Sequence, residues 1–201
     1  MRTRILVNLI AMGACCAVGI ARAEGDPNAG RYKFFTCTGC HAIPGYTNVY
    51  PTYHVPKLGG QHAAYIMAAL KAYQAGDRAH PTMQANAANL SEQDMADIGA
   101  YVSSFGSSDT NPRVIGDIAA GKQKSEPCQA CHGVDGNNPD PNFPRLAGQY
   151  EDYLIRALQD YKSGERKNAI MNGLAAPLSA QDQADLAAYF ASREKGLAVI
   201  K

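Results

Sequence analysis

Two five-residue runs carry one pattern of reactive side chains: Cys37, Thr38, Gly39, Cys40, His41 and Cys128, Gln129, Ala130, Cys131, His132. Each reads Cys-x-x-Cys-His, the pattern of c-type haem attachment. Two cysteines three apart on a turn of helix lie on one side of it. Both thiols can then add to the vinyl groups of one haem while the adjoining histidine faces the iron. Covalent attachment also holds a cofactor in a domain too small to retain it by burial alone. Three other chemistries use paired cysteines. A zinc ribbon places its pairs roughly 15 to 20 residues apart, whereas 91 residues separate these. A disulfide across Cys-x-x-Cys closes a very small loop and stabilises little. A thioredoxin-like pair expects a βαβ setting, and the chain has no alternating strand pattern of useful length. The expected cofactor is therefore covalent haem, two groups per chain.

A haem iron held by one histidine needs a partner on its other face, and the identity of that group decides the chemistry. An internal duplication selects the candidates. Residues 58–105 laid on 146–193 without a gap are identical at 21 of 48 positions, a constant offset of 88. Under that offset Met67 meets Ile155 and Met95 meets Gln183, whereas Met83 meets Met171. The histidines fail the same comparison: His54 lies in an unmatched loop, His62 meets Tyr150 and His80 meets Asn168. Met83 and Met171 are thus the expected axial partners of His41 and His132, and both are expected in irregular segments. A thioether ligand favours ferrous iron and raises the potential. With both axial positions filled, the expected chemistry is electron transfer without oxygen or peroxide activation.

The elements that must position these groups read as helices. Upstream of residue 58 the offset becomes 91, and the difference is a longer first-copy loop, Ala42 to Val55. Two copies of so long a unit indicate two tandem domains, here 24–107 and 108–201, with a linker composition over Gly106 to Pro112. Asp26 before Pro27, and Asp117, are suited to cap a short first helix leading to each cysteine motif. A middle helix is expected near Gln61 to Ala75 and Gln149 to Ser163, closed by Gly76 and Gly164. The last helix of each copy opens with a capping box, Ser91 to Asp94 and Ser179 to Asp182, and continues with apolar residues at helical spacing. The fold class is all-α, built twice.

Residues 1–23 read as an export signal: Arg2 and Arg4, an apolar run from Ile5 to Ile20, then Ala21, Arg22, Ala23 as a cleavage site. Cys15 and Cys16 fall inside it, and Met12, Gly13 and Ala14 make a poor lipidation box. Without Arg2, Arg4 and Arg22, the 19 basic residues become 16 against 18 acidic ones, a balance that does not suit nucleic acid.

On these residues the chain resembles the diheme cytochromes c of the cytochrome c4 type, two class I cytochrome c domains in tandem. The resemblance rests on both haem motifs and on the paired stretches Val55 to Gln61 and Phe143 to Gln149. Each Met followed by Leu and Ser at plus seven and plus eight adds to it. It implies that the carbonyls of Pro56 and Pro144 hold the haem histidines. It also implies that Gly30 and Gly121 let the first helix cross the last close to Tyr101 and Tyr189, and that Lys57 and Arg145 can pair with haem propionates. The function it implies is a periplasmic single-electron carrier of a respiratory chain, running between a quinol-oxidising complex and a terminal oxidase or reductase. An electron-transfer subunit of a periplasmic dehydrogenase, oxidising sulfide or an alcohol, would carry the same haem motifs. A diheme peroxidase would need an open-coordinate haem.

Overall fold

The computed structural model describes residues 24–108 and 114–201. The export signal with Cys15 and Cys16, and residues 109–113 of the linker, lie outside the described residues. Those described form helices joined by loops, with isolated β-bridges and no extended strand among them. The first copy holds α1 (Pro27–Lys33), α2 (Phe35–His41), α3 (Ala63–Ala75), α4 (Pro81–Ala87) and α5 (Glu92–Ser103). The second repeats them as α6 (Ile118–Lys124), α7 (Glu126–His132), α8 (Glu151–Ser163), α9 (Ala169–Ala175) and α10 (Ala180–Ala191).

Local chemistry sets the helix ends. Asp26 accepts from the Asn28 N–H and Asp117 from those of Ala119 and Ala120, satisfying amides that have no partner within the first turn. Both capping boxes are closed in each direction. Gly76 and Gly164 end α3 and α8 at φ of 78° and 86°, a conformation that costs a side-chain-bearing residue free energy. The middle helices begin at Ala63 and Glu151, two residues later than the sequence suggests. Gln61 and Gln149 are not helical because their side chains bond the adjacent His62 and Tyr150 N–H groups, each at 3.0 Å.

α1 crosses α5, and α6 crosses α10, at a distance only glycine permits. A Cβ on Gly30 would lie 1.9 Å from the Asp97 carbonyl oxygen, and one on Gly121 1.9 Å from that of Asp185. The obstacle is backbone and cannot swing away. Gly121→Ala is therefore expected to cost about 3 kcal/mol, the upper end for overpacking, read as a lowered unfolding midpoint of the haem-loaded protein with its haem spectrum retained.

The same crossings are tied by charge. Lys33 reaches Asp94 at 2.7 Å and buried Asp97 at 2.5 Å, and Asp97 also accepts from the Asp26 N–H at 2.8 Å. Lys124 repeats this with Asp182 at 2.7 Å and Asp185 at 2.6 Å. The hydrogen bonds from the lysines hold all four carboxyl groups below the usual aspartate range. A carboxyl group depressed in the folded state stabilises it above its unfolded value, and that contribution is lost as pH falls through the folded value. The unfolding temperature is therefore expected to decline once pH drops below roughly 4, the ordinary aspartate value. Lys33→Met should flatten that acid limb in calorimetric scans taken at several pH values.

Each core borrows from the other half of the chain. The first gathers Phe34, Ile66, Leu70, Met95, Ile98 and Val102, and it also receives Ile200 from the extreme C-terminus. The second gathers Tyr153, Leu154, Ala187, Tyr189 and Phe190, and receives Tyr53 from the long first-copy loop. The C-terminal segment reaches the first copy by pairing Ala198 with Gly59, both bonds at 2.9 Å. Tandem domains related by duplication thus fold with exchanged arms.

Candidate haem clefts

The cysteine motifs occupy the short helices α2 and α7, which follow α1 and α6 almost without a break. Cys37, Cys40, Cys128 and Cys131 are free thiols, each half-buried. Burial pushes the Cys37 and Cys128 thiols up from their ordinary range. No group of three or more His, Cys, Asp and Glu side chains converges on a metal-sized site among the described residues. The two motifs sit in separate clefts, as a zinc ribbon would not allow.

The histidine that ends each motif is turned inward and buried. His41 Nδ1 lies 2.9 Å from the Pro56 carbonyl oxygen, and His132 Nδ1 2.9 Å from that of Pro144. A carbonyl only accepts, so Nδ1 carries the proton and Nε2 presents a lone pair to the cleft. Such a bond fixes ring orientation and raises ligand basicity. Burial, the main cause, lowers both imidazoles' pKa and keeps them neutral. This is the state in which histidine ligates iron.

Met83 and Met171 line the same cavity as the two histidines. Both lie on seven-residue helices, α4 and α9, where irregular chain was expected. The helices form because the residue before each is a competent N-cap. The Met83 N–H donates to His80 Nδ1 at 3.2 Å, and the Met171 N–H to Asn168 Oδ1 at 3.0 Å. His80 and Asn168 are equivalent under the duplication and do the same work, so His80 acts here as a cap with one ring nitrogen engaged. The far ends are held by different side chains at one equivalent position. Gln74 Nε2 donates to the Ala87, Ala88 and Leu90 carbonyls at 3.2, 3.1 and 3.2 Å, and Lys162 Nζ donates to that of Leu178 at 2.6 Å.

One continuous cavity of about 670 Å³ joins both clefts, lined by His41, Met83, His132 and Met171, with Phe34, Ile98, Leu186 and Phe190 among its apolar walls. Its size and mostly apolar lining are those of sites that bury organic cofactors. Thiols, a neutral imidazole and a thioether facing an apolar cleft are the donor set of a covalently attached haem with both axial positions filled.

Lys57 and Arg145, whose resemblance role was to meet propionates, instead cross the domain boundary. Lys57 Nζ donates to the Gly148 carbonyl at 2.6 Å, and Arg145 Nη1 to that of Gly60 at 3.0 Å. The neighbouring glutamines complete a reciprocal latch. Gln61 binds the Arg145 N–H and carbonyl at 2.9 and 3.0 Å, and Gln149 those of Lys57 at 3.0 and 2.9 Å. His54 and His62 also serve this boundary, His54 Nδ1 at 2.7 Å from Asp152 and His62 Nε2 at 2.8 Å from the Asn138 carbonyl. No periodicity marks a side chain for contact with a distant copy. The one available signal was that both glutamines recur at the same offset.

Comparison with known proteins follows this geometry. The cytochrome c family model matches twice, over residues 29–106 and 118–194. Cytochrome c4 of Pseudomonas aeruginosa is 57% identical over 79 residues, a match that spans only 39% of this chain and 39% of that protein. The thiosulfate dehydrogenase electron acceptor of Stutzerimonas stutzeri is 30% identical over 183 residues, covering 84% of this chain and 82% of that one. Reduced cytochrome c4 from Pseudomonas stutzeri superposes with a TM-score of 0.69 at 31% identity, over 85% of this chain and all of that one.

Proposed function

Since the chain belongs to the cytochrome c family, as a two-domain protein of the cytochrome c4 type with two covalently bound haem c groups, we propose that it is a periplasmic single-electron carrier between a quinol-oxidising complex and a terminal oxidase or reductase. The observation that carries this reading is that His41, Met83, His132 and Met171 all line one cavity. A bound haem iron supplies the one-electron chemistry. The chain's part is to attach it through Cys37, Cys40, Cys128 and Cys131, and to orient each imidazole through Pro56 or Pro144. The thioethers of Met83 and Met171 would be the further ligands of the iron and would keep out water and oxygen. Among the described residues no helix is long and apolar enough to cross a membrane, and residues 1–23 are assigned to export.

The electron-acceptor relative favours a second reading, a diheme subunit fixed to a periplasmic dehydrogenase. Purification from native membranes and periplasm separates the two. A free shuttle elutes alone and is oxidised by washed membranes through their terminal oxidase. Stoichiometric copurification with a dehydrogenase would establish the subunit reading in its place. Ready binding of carbon monoxide by the ferrous protein would contradict both.

A further inference from the structure

The loop between His41 and Pro56 is the segment in which the second copy is three residues shorter. It folds back on itself as a small hairpin. The Asn48 N–H donates to the Tyr53 carbonyl at 2.9 Å and the Val55 N–H to that of Tyr46 at 2.8 Å, with Thr47 and His54 bridged between them. Asn48, Tyr53 and Val55 line the first cleft beside Cys37, Cys40 and His41. The hairpin therefore forms part of the wall around the first attachment motif.

What holds the hairpin there belongs to the other copy. The Gly45 N–H donates to the Tyr150 hydroxyl at 3.2 Å. The His54 backbone N–H and Nδ1 both reach Asp152 Oδ2, at 3.0 and 2.7 Å. A carboxylate only accepts, so His54 Nδ1 carries a proton. Asp152 is itself fixed, its Oδ1 taking the Tyr153 N–H at 2.8 Å, and it stands in the first turn of α8, where the helix dipole favours a negative charge. The His54 ring stacks on that of Tyr150 at 4.5 Å, and the same ring takes Lys57 Nζ at 4.6 Å. Tyr53 is buried with its ring centroid 6.5 Å from that of Tyr153.

The equivalent loop of the second copy is tied down within its own domain. The Asn138 N–H donates to the His132 carbonyl at 3.0 Å, Asn138 Nδ2 to that of Cys131 at 2.7 Å, and the Tyr189 hydroxyl to that of Val134 at 2.6 Å. From the first domain it receives the bond of His62 Nε2 to the Asn138 carbonyl. The two clefts are thus walled by different means.

We infer that residues 42–55 form a lid over the first cleft that the second domain holds shut, so that water access to the first haem is set by contact between the domains. Solvent exposure is one of the factors that set a haem potential, and a shut lid keeps water from stabilising the ferric charge. Val55 also leads directly into Pro56, whose carbonyl orients His41. Movement of the lid is therefore felt at the imidazole of the first cleft and not at that of the second.

The inference rests on a haem in the first cleft, which a haem-to-protein ratio checks separately. His54→Ala, His54→Asn and Tyr150→Phe are compared with the haem-loaded wild type by amide hydrogen exchange, redox titration and cyanide binding to the ferric protein. In His54→Ala the amides of Gly45, Asn48 and Val55 should exchange about tenfold faster, for the loss of a hydrogen bond and a ring contact. Cyanide should bind one haem faster, and the potential of that haem should fall while the other stays. The haem affected should be the one whose potential Met83→Ala moves. His54→Asn, whose Nδ2 can donate to Asp152 as the imidazole does, should restore the wild-type behaviour. Loop exchange in His54→Ala as slow as in the wild type would overturn the inference, and so would faster exchange with cyanide binding and both potentials unchanged. Should His54→Ala fail to load haem, Tyr150→Phe decides, since it removes only the hydroxyl that Gly45 bonds. It should show the same changes to a smaller extent, and their absence would equally overturn the inference.

Discussion

Alanine in place of Met171 is expected to leave its haem attached and its histidine bound while abolishing the far-red sulfur-to-iron band of that haem, lowering its potential and opening it to carbon monoxide. Removal of the thioether leaves the iron with one protein ligand, and the preference for ferrous iron goes with it. Met83→Ala should do the same to the other haem, with its partner's band untouched, because Met83 lines a cleft with Cys37, Cys40 and His41 that Met171 does not line. The two variants thus report the haems one at a time. His80 is the competitor in the first cleft, yet its Nδ1 already receives the Met83 N–H as the cap of α4. If both far-red bands persist in Met83→Ala, Met83 is not a ligand. The spectrum, read beside the titration, makes this outcome separate from misfolding.

The second large effect concerns the fold. The clefts and their junction enclose about 670 Å³ bounded mostly by apolar side chains. Without haem that apolar lining would face water, at a cost of about 25 cal/mol per Å² left exposed. A typical domain is stable by only about 5–15 kcal/mol. The chain produced without haem attachment is therefore expected to lose most of its helical circular dichroism or to collapse into a non-native compact state. The loaded protein should show a cooperative transition well above ambient temperature. A haem-free chain with the helicity of the loaded one and a sharp thermal transition would contradict this. Exchange of Ile200 and Tyr53 between the two cores implies that the loss spreads: Cys128→Ser with Cys131→Ser should lower the stability of the first domain as well.

Much of the site was legible in the residues because its requirements are local. Cys-x-x-Cys-His needs one turn of helix to work, and one turn is written in five consecutive residues. The duplication then acted as an internal comparison that singled out Met83 and Met171 from the other methionines, and placed Pro56 and Pro144 in register with each other. At Met83 and Met171 the structure departs from the expected irregular chain. His80 and Asn168 each cap a short helix that no apolar period announces, since seven residues are too few to show one. The carbonyl bonds of Lys57 and Arg145 across the domain boundary were not legible for a different reason. A long cationic side chain suits a propionate and a carbonyl equally well, and only the neighbouring copy's position decides between them.

By itself, then, the amino-acid sequence determined what depends on short spacing: helix ends, the attachment motif, the paired candidates for the iron's far side, and the fact of two copies. Tertiary structure alone decided how the copies meet. Gln61 and Gln149 latch reciprocally, Tyr53 and Ile200 cross into the opposite cores, and Arg78 and Arg166 come face to face between the clefts. These contacts join residues about 75 to 140 positions apart, as in Arg78 with Tyr153 or Gly59 with Ala198. Periodicity and capping act over a few residues and hold no record of such pairings. They form because each domain leaves buried donors and apolar surface that only the other can satisfy.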